Sequence, residues 1–282
     1  MIWKTSRRAL SLERPLVMGI LNVTPDSFSD GGKYRSTNDA LRRAEQIVNE
    51  GGDIIDVGGE STRPGSQQVS AEDEIRRTIP VIDAIAKRFD TPISIDTSKA
   101  EVATAAIDAG AEIINDISGL RFDERIATVA AETKSGLIMM HSIGDFATMH
   151  TADRPLEIVA AVIDGLQDSV DKALEFGIGD EQLVLDVGIG FGKAAEQNVE
   201  LIVRHQEIVD SLSPFPFLIG TSRKSFIAKL FGDREASERL GGSIVTALAG
   251  VRNGARIVRV HDVAATVEAL SAATGLGLIP EA

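Results

Sequence analysis

The chain has 282 residues, 43% of them apolar and 25% charged, with a formal net charge of −13 and no cysteine. This is the composition of an ordinary soluble globular protein, large enough to build a core without disulfides. It excludes a general binder of nucleic acid or anionic membrane, which would need a basic surface.

The expected location is the cytoplasm. The lack of cysteine suits a reducing compartment. Arg7 and Arg8 do not open an export signal, because Glu13 and Arg14 interrupt the apolar stretch that should follow. No window offers the run of about 18 apolar residues that a membrane span needs.

The predicted elements alternate along the chain. A strand over Leu16–Leu21 is followed by a helix over Asn38–Glu50, then a strand over Ile54–Val57 and a helix over Glu72–Phe89. Strands over Ile93–Asp96 and Ile113–Asn115 enclose a helix over Ala100–Ala109. Strands over Leu137–Met140 and Leu183–Asp186 enclose one over Leu156–Phe176. A helix over Val199–Leu212, strands over Phe217–Gly220 and Ile257–Val260, and a helix over Ala264–Ala273 complete the series. Ser70 with Asp73 reads as a capping box, and Gly51, Gly110 and Gly177 mark helix ends. Eight strand-like runs with helices between them predict a parallel sheet covered by helices, closed into a single (β/α)8 TIM barrel spanning residues 1–282 as one domain. The rival, an open doubly wound sheet, should carry G-x-G-x-x-G after its first strand, where this chain has Asn22-Val23-Thr24-Pro25-Asp26-Ser27.

Ligands of such a barrel bind at the C-terminal ends of its strands. Here nearly every apolar run ends in a polar residue: Asn22, Gly58-Gly59-Glu60, Asp96, Asn115-Asp116, His141, Asp186, Ser222-Arg223-Lys224, and Arg259 with His261. A single polar strand end is usually a helix cap or loop anchor, but the whole set is expected to converge on one mouth. Asp96, Asp186 and the Asn115 carbonyl suit a ligand rich in N–H donors, such as an aminopyrimidinone ring. Lys224 and Arg259, with Arg63 on a Gly/Pro-rich loop, suit phosphate or carboxylate, and a flat ring can stack on the Arg259 guanidinium. Ser222 lies where the seventh strand turns into a helix, and helix N-termini bind anions. Neither a nucleophile elbow nor a zinc spacing is present. Gly190-Phe191-Gly192-Lys193 lacks P-loop spacing and reads as a tight strand–helix turn. His205 is expected on a helix surface and His150 in a loop.

These residues lie in runs that resemble the dihydropteroate synthases: Met18 to Gly32, Asp56 to Ser66, Ser94 to Lys99, Thr221 to Ile227, and Arg259 to Asp262, in that family's order. The resemblance covers about Leu16 to Asp262. It implies a TIM barrel that joins 6-hydroxymethyl-7,8-dihydropterin diphosphate to p-aminobenzoate, releasing diphosphate, in folate synthesis. It implies that Asp96, Asn115, Asp186, Lys224 and Met140 contact the pterin and that Arg259 stacks on it. Asn22, Arg63, Arg259 and His261 would hold the diphosphate, Asn22 partly through Mg²⁺. Phe28, Thr62, Pro64, Ser222 and Lys224 would form the p-aminobenzoate pocket, which sulfonamides would enter as competitive inhibitors. The catalytic group would be Lys224, Arg259, Asp96, Asn22, Arg63 and His261, working by a dissociative path at the pterin methylene. A homodimer is implied, and the small-residue stretch from Gly241 to Gly250 suits close helix packing, within one chain or between two.

Two places depart from the family pattern. Val187 stands where proline is common, and Ser142, Ile143 and Phe146 are unusual after His141, which leaves the fifth strand's pterin contact open. Two other readings remain at this point. A methyltetrahydrofolate–corrinoid methyltransferase would keep ring contacts but have no use for the complete diphosphate loops. A non-catalytic pterin-binding barrel would be expected to have lost Asn22, Arg63 or Lys224.

Overall fold

In the computed structural model, two separate layers of apolar residues explain the architecture. It describes residues 1–24, 33–61, 66, 68–146, 148, 153–232 and 235–279. The inner layer joins Leu16, Met18, Ile54, Ile113, Ile138, Val184, Leu218 and Ile257, one or two from each of seven strands. The outer layer joins the alternate strand residues, such as Val17, Ile55, Ile95, Ile114, Leu185 and Val258, to the buried faces of the helices. Side chains alternate along a strand, so a sheet buried on both faces needs both sets apolar. That is why the strands read as continuous apolar runs.

The inner strands are β3 (Leu16–Asn22), β4 (Ile54–Gly58), β5 (Ile93–Asp96), β6 (Ile113–Asp116), β7 (Gly136–Met140), β8 (Leu183–Asp186), β9 (Phe217–Ile219) and β10 (Ile257–Val260). They pair in chain order, all parallel, and β10 closes on β3. The expected TIM barrel is thus observed. Beneath it lies an element absent from the sequence reading, an antiparallel hairpin of β1 (Ile2–Lys4) and β2 (Ala9–Ser11). Its Trp3 joins the inner layer from below and donates its indole N–H to the Gln182 carbonyl at 2.9 Å. The hairpin therefore plugs the N-terminal end, and the C-terminal end is left for ligands.

The surrounding helices are α1 (Lys33–Asn49), α2 (Ala71–Ala86), α3 (Ala100–Ala109), α4 (Arg125–Thr133), α5 (Ile158–Glu175), α6 (Ala195–Val203), α7 (His205–Ser211), α8 (Ser225–Phe231), α9 (Leu240–Arg252) and α10 (Val263–Gly275). Ser70 caps α2 by accepting the Asp73 N–H at 3.1 Å, the Ser70 half of the expected capping box. Gly51, Gly110 and Gly177 all have positive φ. The single helix expected over Val199–Leu212 is two, α6 and α7, broken at Arg204. The break corrects the placing of His205. It is fully buried, with Nδ1 2.9 Å from the Asn253 carbonyl and its ring edge-on to Phe217 at 5.3 Å. Among the described residues, no helix is long and apolar enough to cross a membrane.

Candidate active site

The inner layer continues upward into polar residues of the same parity. Above Leu16 and Met18 on β3 comes Asn22; above Ile54 comes Asp56; above Ile113, Asn115; above Val184, Asp186; above Ile257, Arg259. Strand register sets them side by side: Asn22 is level with Gly58, Gly58 with Asp96, Asp96 with Asn115, and Met140 with Asp186. The convergence expected from the strand ends is therefore real for inward-parity residues. It fails for the others, and by one residue.

His141 and Asp116 have outward parity. The His141 ring packs on α5, where a Cβ added to Gly165 would lie 2.8 Å from it. Burial, with Lys193 and Arg121 adding to it, lowers its pKa to about 2, so it is a neutral packing residue. Asp116 is fully buried and accepts from the Ser118 N–H and hydroxyl and the Leu120 N–H at 2.6–2.8 Å, so it anchors the loop after β6. Arg223 also turns away from the mouth, to Asp262, with Nε–Oδ2 at 3.0 Å.

Arg259 is the centre of the site. Its Nε donates to Asp56 Oδ2 at 2.6 Å and its Nη2 to Asp96 Oδ2 at 2.5 Å. Burial works against the cation, but Asp56 and Asp96 more than offset it and hold its pKa above the ordinary arginine value. Asp56 was missed in the sequence reading. Its signal was a carboxylate inside an apolar strand, Ile54-Ile55-Asp56-Val57, which is tolerated only with a partner. Asn115 turns its amide nitrogen toward Asp56 at 3.4–3.5 Å, which points its carbonyl elsewhere. Burial pushes Asp96 up to about 7, with Arg259 opposing and Asp56 and Glu74 adding to the rise. Burial also raises Asp186, against the Gly188 N–H that Oδ1 accepts at 2.8 Å.

Two lysines flank Asp186. Lys224 Nζ donates to the Ile189 carbonyl at 2.7 Å and sits 4.0 Å over the Phe191 ring; burial lowers its pKa to about 7. Lys193 is buried and places its three N–H bonds on the carbonyls of His141 (3.1 Å), Gly188 (2.9 Å) and Phe191 (3.1 Å). Burial lowers it to about 7 as well. The segment from Gly190 to Lys193 lies in a tight turn, as expected, and it also carries Phe191 under Lys224, a contact the sequence reading did not assign. Gly188 is required just before it: its φ is +69°, and a Cβ would lie 1.8 Å from the His141 carbonyl.

Met140 lies with Ile117 and Phe191 in a small apolar cluster at the mouth, against which Phe122 and Phe146 pack. The unusual residues after β7 are thereby accounted for. Phe146 adds to this wall. Ser142 is buried and accepts from Arg121 Nη2 through its carbonyl (2.7 Å) and hydroxyl (2.6 Å). Ile143 packs on the outer layer, and Val187, of outward parity, is buried in it. Ser222 is buried with its hydroxyl at His261: Oγ accepts the His261 N–H at 3.1 Å and lies 3.0 Å from Nδ1. Lys99 links Glu60 (2.9 Å) and Glu74 (2.6 Å) at the base of the loop after β4. The expected site residues Phe28, Thr62, Arg63 and Pro64, and also His150, lie outside the described residues.

Comparison with known proteins agrees with this geometry. The family described as pterin binding enzyme matches residues 18–261. The dihydropteroate synthase of Escherichia coli strain K12 is 46% identical over 262 residues, covering 93% of this chain and 92% of that protein. A solved structure of the Xanthomonas albilineans dihydropteroate synthase with 4-aminobenzoic acid has a TM-score of 0.92 at 39% identity, covering 99% of each chain. One of the Yersinia pestis enzyme in complex with a sulfonamide drug has a TM-score of 0.91 at 38% identity, covering 99% of this chain and 100% of the other.

Proposed function

This chain belongs to the pterin-binding enzyme family, among its dihydropteroate synthases, and from that premise we propose how the barrel mouth divides the work of the reaction. The reaction condenses 6-hydroxymethyl-7,8-dihydropterin diphosphate with p-aminobenzoate to give 7,8-dihydropteroate and diphosphate, a step of folate synthesis. The pairing of Arg259 with Asp56 and Asp96 on the inner layer carries the assignment. Two carboxylates, Asp56 fully buried and Asp96 partly exposed, hold a guanidinium plane across the mouth, so a flat pterin stacks on it while Asp96, Asp186 and the Asn115 carbonyl accept its N–H groups. Lys224 donates to the ring, and Met140 lies against its edge.

Asn22, Arg63, Arg259 and His261 receive the diphosphate. The C–O bond at the pterin methylene breaks first, with its electron pair leaving on the diphosphate. The aniline nitrogen of p-aminobenzoate then forms the C–N bond and loses a proton. Fixed cations that meet the leaving charge supply most of the barrier lowering. Phe28, Thr62, Pro64 and Lys224 surround the p-aminobenzoate, with Phe191 beneath the lysine stem, and sulfonamides compete there.

Magnesium suits this site. Among the described residues no three acidic or histidine side chains gather to cage a metal, and Mg²⁺ commonly takes one or two protein oxygens, completing its shell with phosphate and water. Asn22 Oδ1 is the protein oxygen, beside a space that a side chain at Gly58 would enter, 3.5 Å from it. The ion would neutralise charge on the leaving diphosphate.

The family match over residues 18–261, with the hairpin below the barrel, supports reading residues 1–282 as one domain. A second copy would dock on α8 and α9, where Ile227, Ala228, Gly241, Gly242 and the exposed Val245 line a hollow of about 280 Å³. Incubating the purified protein with the pterin diphosphate, p-aminobenzoate and Mg²⁺ tests the whole assignment. Dihydropteroate and diphosphate should appear in equal amounts, and Arg259→Ala should abolish both. Turnover by Arg259→Ala at the wild-type rate would overturn the role given to Arg259.

A further inference from the structure

His261 touches Ser222 at two points. Its backbone N–H donates to Ser222 Oγ at 3.1 Å, and its ring Nδ1 lies 3.0 Å from the same oxygen. On the other side, Arg43 Nη2 donates to the His261 carbonyl at 2.5 Å. Both peptide groups of the residue are thus held, and one ring nitrogen is fixed against a buried hydroxyl.

Counting hydrogens decides the tautomer. A serine hydroxyl has one hydrogen to donate and two lone pairs to accept with. Here the oxygen already receives the amide hydrogen. If Nδ1 also carried a hydrogen, the oxygen would accept twice, and its own hydrogen would need a third partner. Among the described residues, Ser222 Oγ has no hydrogen-bond partner other than these two atoms of His261. Buried hydroxyls are rarely left with nothing to donate to. The arrangement that satisfies every group is Ser222 O–H donating to Nδ1. A neutral imidazole that accepts at Nδ1 carries its proton on Nε2.

We propose that Ser222 is a positioning residue that fixes His261 as the Nε2–H tautomer, so that a neutral imidazole presents an N–H donor to an oxygen of the leaving diphosphate. The inference rests on the reading in which His261 meets that group, and it changes the role of Ser222 from a contact of p-aminobenzoate to a support of the anion site. The device has a physical rationale. A donor whose direction is set before substrate arrives costs no reorganisation when charge develops on the leaving group. It also supplies that donor without placing another full charge beside Arg259.

Nitrogen-15 NMR of protein labelled at its histidine rings tests the inference. The chain has four histidines, and loss of one signal set in His261→Gln assigns the relevant ring. At about pH 8, where an ordinary histidine is neutral, two-bond proton–nitrogen correlations distinguish a protonated Nε2 from a protonated Nδ1. The expected wild-type pattern is a single tautomer with Nδ1 bare. In Ser222→Ala, the His261 nitrogens should move to intermediate shifts, with the other histidine signals in place as the check on folding. Affinity for inorganic diphosphate with Mg²⁺, read by calorimetry, should fall about three- to tenfold, the loss of one ordinary hydrogen bond. Affinity for p-aminobenzoate in the presence of saturating diphosphate should be unchanged. A protonated Nδ1 in the wild-type protein would overturn the proposal without any variant. So would a Ser222→Ala protein with unaltered shifts and unaltered diphosphate affinity. If the wild-type tautomer is as expected but His261→Gln binds diphosphate normally, the diphosphate role of His261 fails, and the functional half of the proposal fails with it.

Discussion

Asp56→Asn is the substitution that tests the central arrangement most directly. The change keeps the shape of the side chain and removes its charge. Asp56 is fully buried, and its Oδ2 receives Arg259 Nε at 2.6 Å. Removing one partner of a buried ion pair outright costs about 3–5 kcal/mol. Two features reduce that here: Arg259 keeps Asp96 at 2.5 Å and is still 20% accessible, and the asparagine oxygen still accepts. The loss is then that of turning one charge-assisted hydrogen bond into an ordinary one, about 1–2 kcal/mol. For a chain of this size, that corresponds to a fall in Tm of about 2–3 °C. The functional effect should be larger than the structural one, because the Arg259 plane is released from one of its two anchors. Affinity for a pterin lacking the diphosphate, read by calorimetry, should drop about tenfold or more. Asp116→Asn is the control. It is equally buried but has outward parity and serves the loop after β6, so it should lose stability with little change in pterin affinity. If Asp56→Asn bound the pterin as wild type does while losing the expected stability, the claim that Asp56 orients Arg259 would be refuted.

Further outcomes follow from the same geometry. Asp96 is pushed up to about 7 and Lys224 down to about 7, both chiefly by burial. If pterin binding uses the carboxylate and the ammonium, as proposed, it strengthens as pH rises through the first and weakens as pH rises through the second. Asp56, Glu74, Asp186, Lys193 and Arg259 also bear on these two groups. Affinity measured from about pH 5 to 9 should peak near neutrality and fall on both limbs by up to about tenfold per unit; a flat profile counts against the assignment of either group. Gly188→Ala, which forces a side chain onto the His141 carbonyl at positive φ, should cost at least about 1–3 kcal/mol in denaturant unfolding. Lys193→Met leaves three carbonyls without their donor, and should lose about 1–3 kcal/mol together with turnover, through the displaced Phe191 and Lys224. Sulfonamides should inhibit competitively with p-aminobenzoate in steady-state kinetics; inhibition unrelieved by p-aminobenzoate would place their site elsewhere.

Much of this was legible in the chain itself. Repeated apolar runs with helical patterns between them require a parallel sheet covered on both faces, and eight of them close a barrel. The polar residues that end those runs named most of the described site: Asn22, Asp96, Asn115, Asp186, Lys224, Arg259 and His261. What the sequence could not determine was which face of each strand looks inward. In a sheet buried on both faces the usual alternation of apolar and polar residues disappears, so Asp116 and His141 look as eligible as Asn115 and Met140. Only closure of the barrel assigns inward parity, and a difference of one residue separates a mouth group from a loop anchor. Pairings between distant strands are equally invisible locally. Asp56 and Arg259 meet because β4, β3 and β10 are neighbours. Ser222 meets His261 because the chain after β9 runs beside the end of β10, and His205 is buried because a break at Arg204 turns it toward Phe217. Each of these was decided by tertiary packing, which sets the cost of leaving a buried charge or hydrogen-bonding group without a partner.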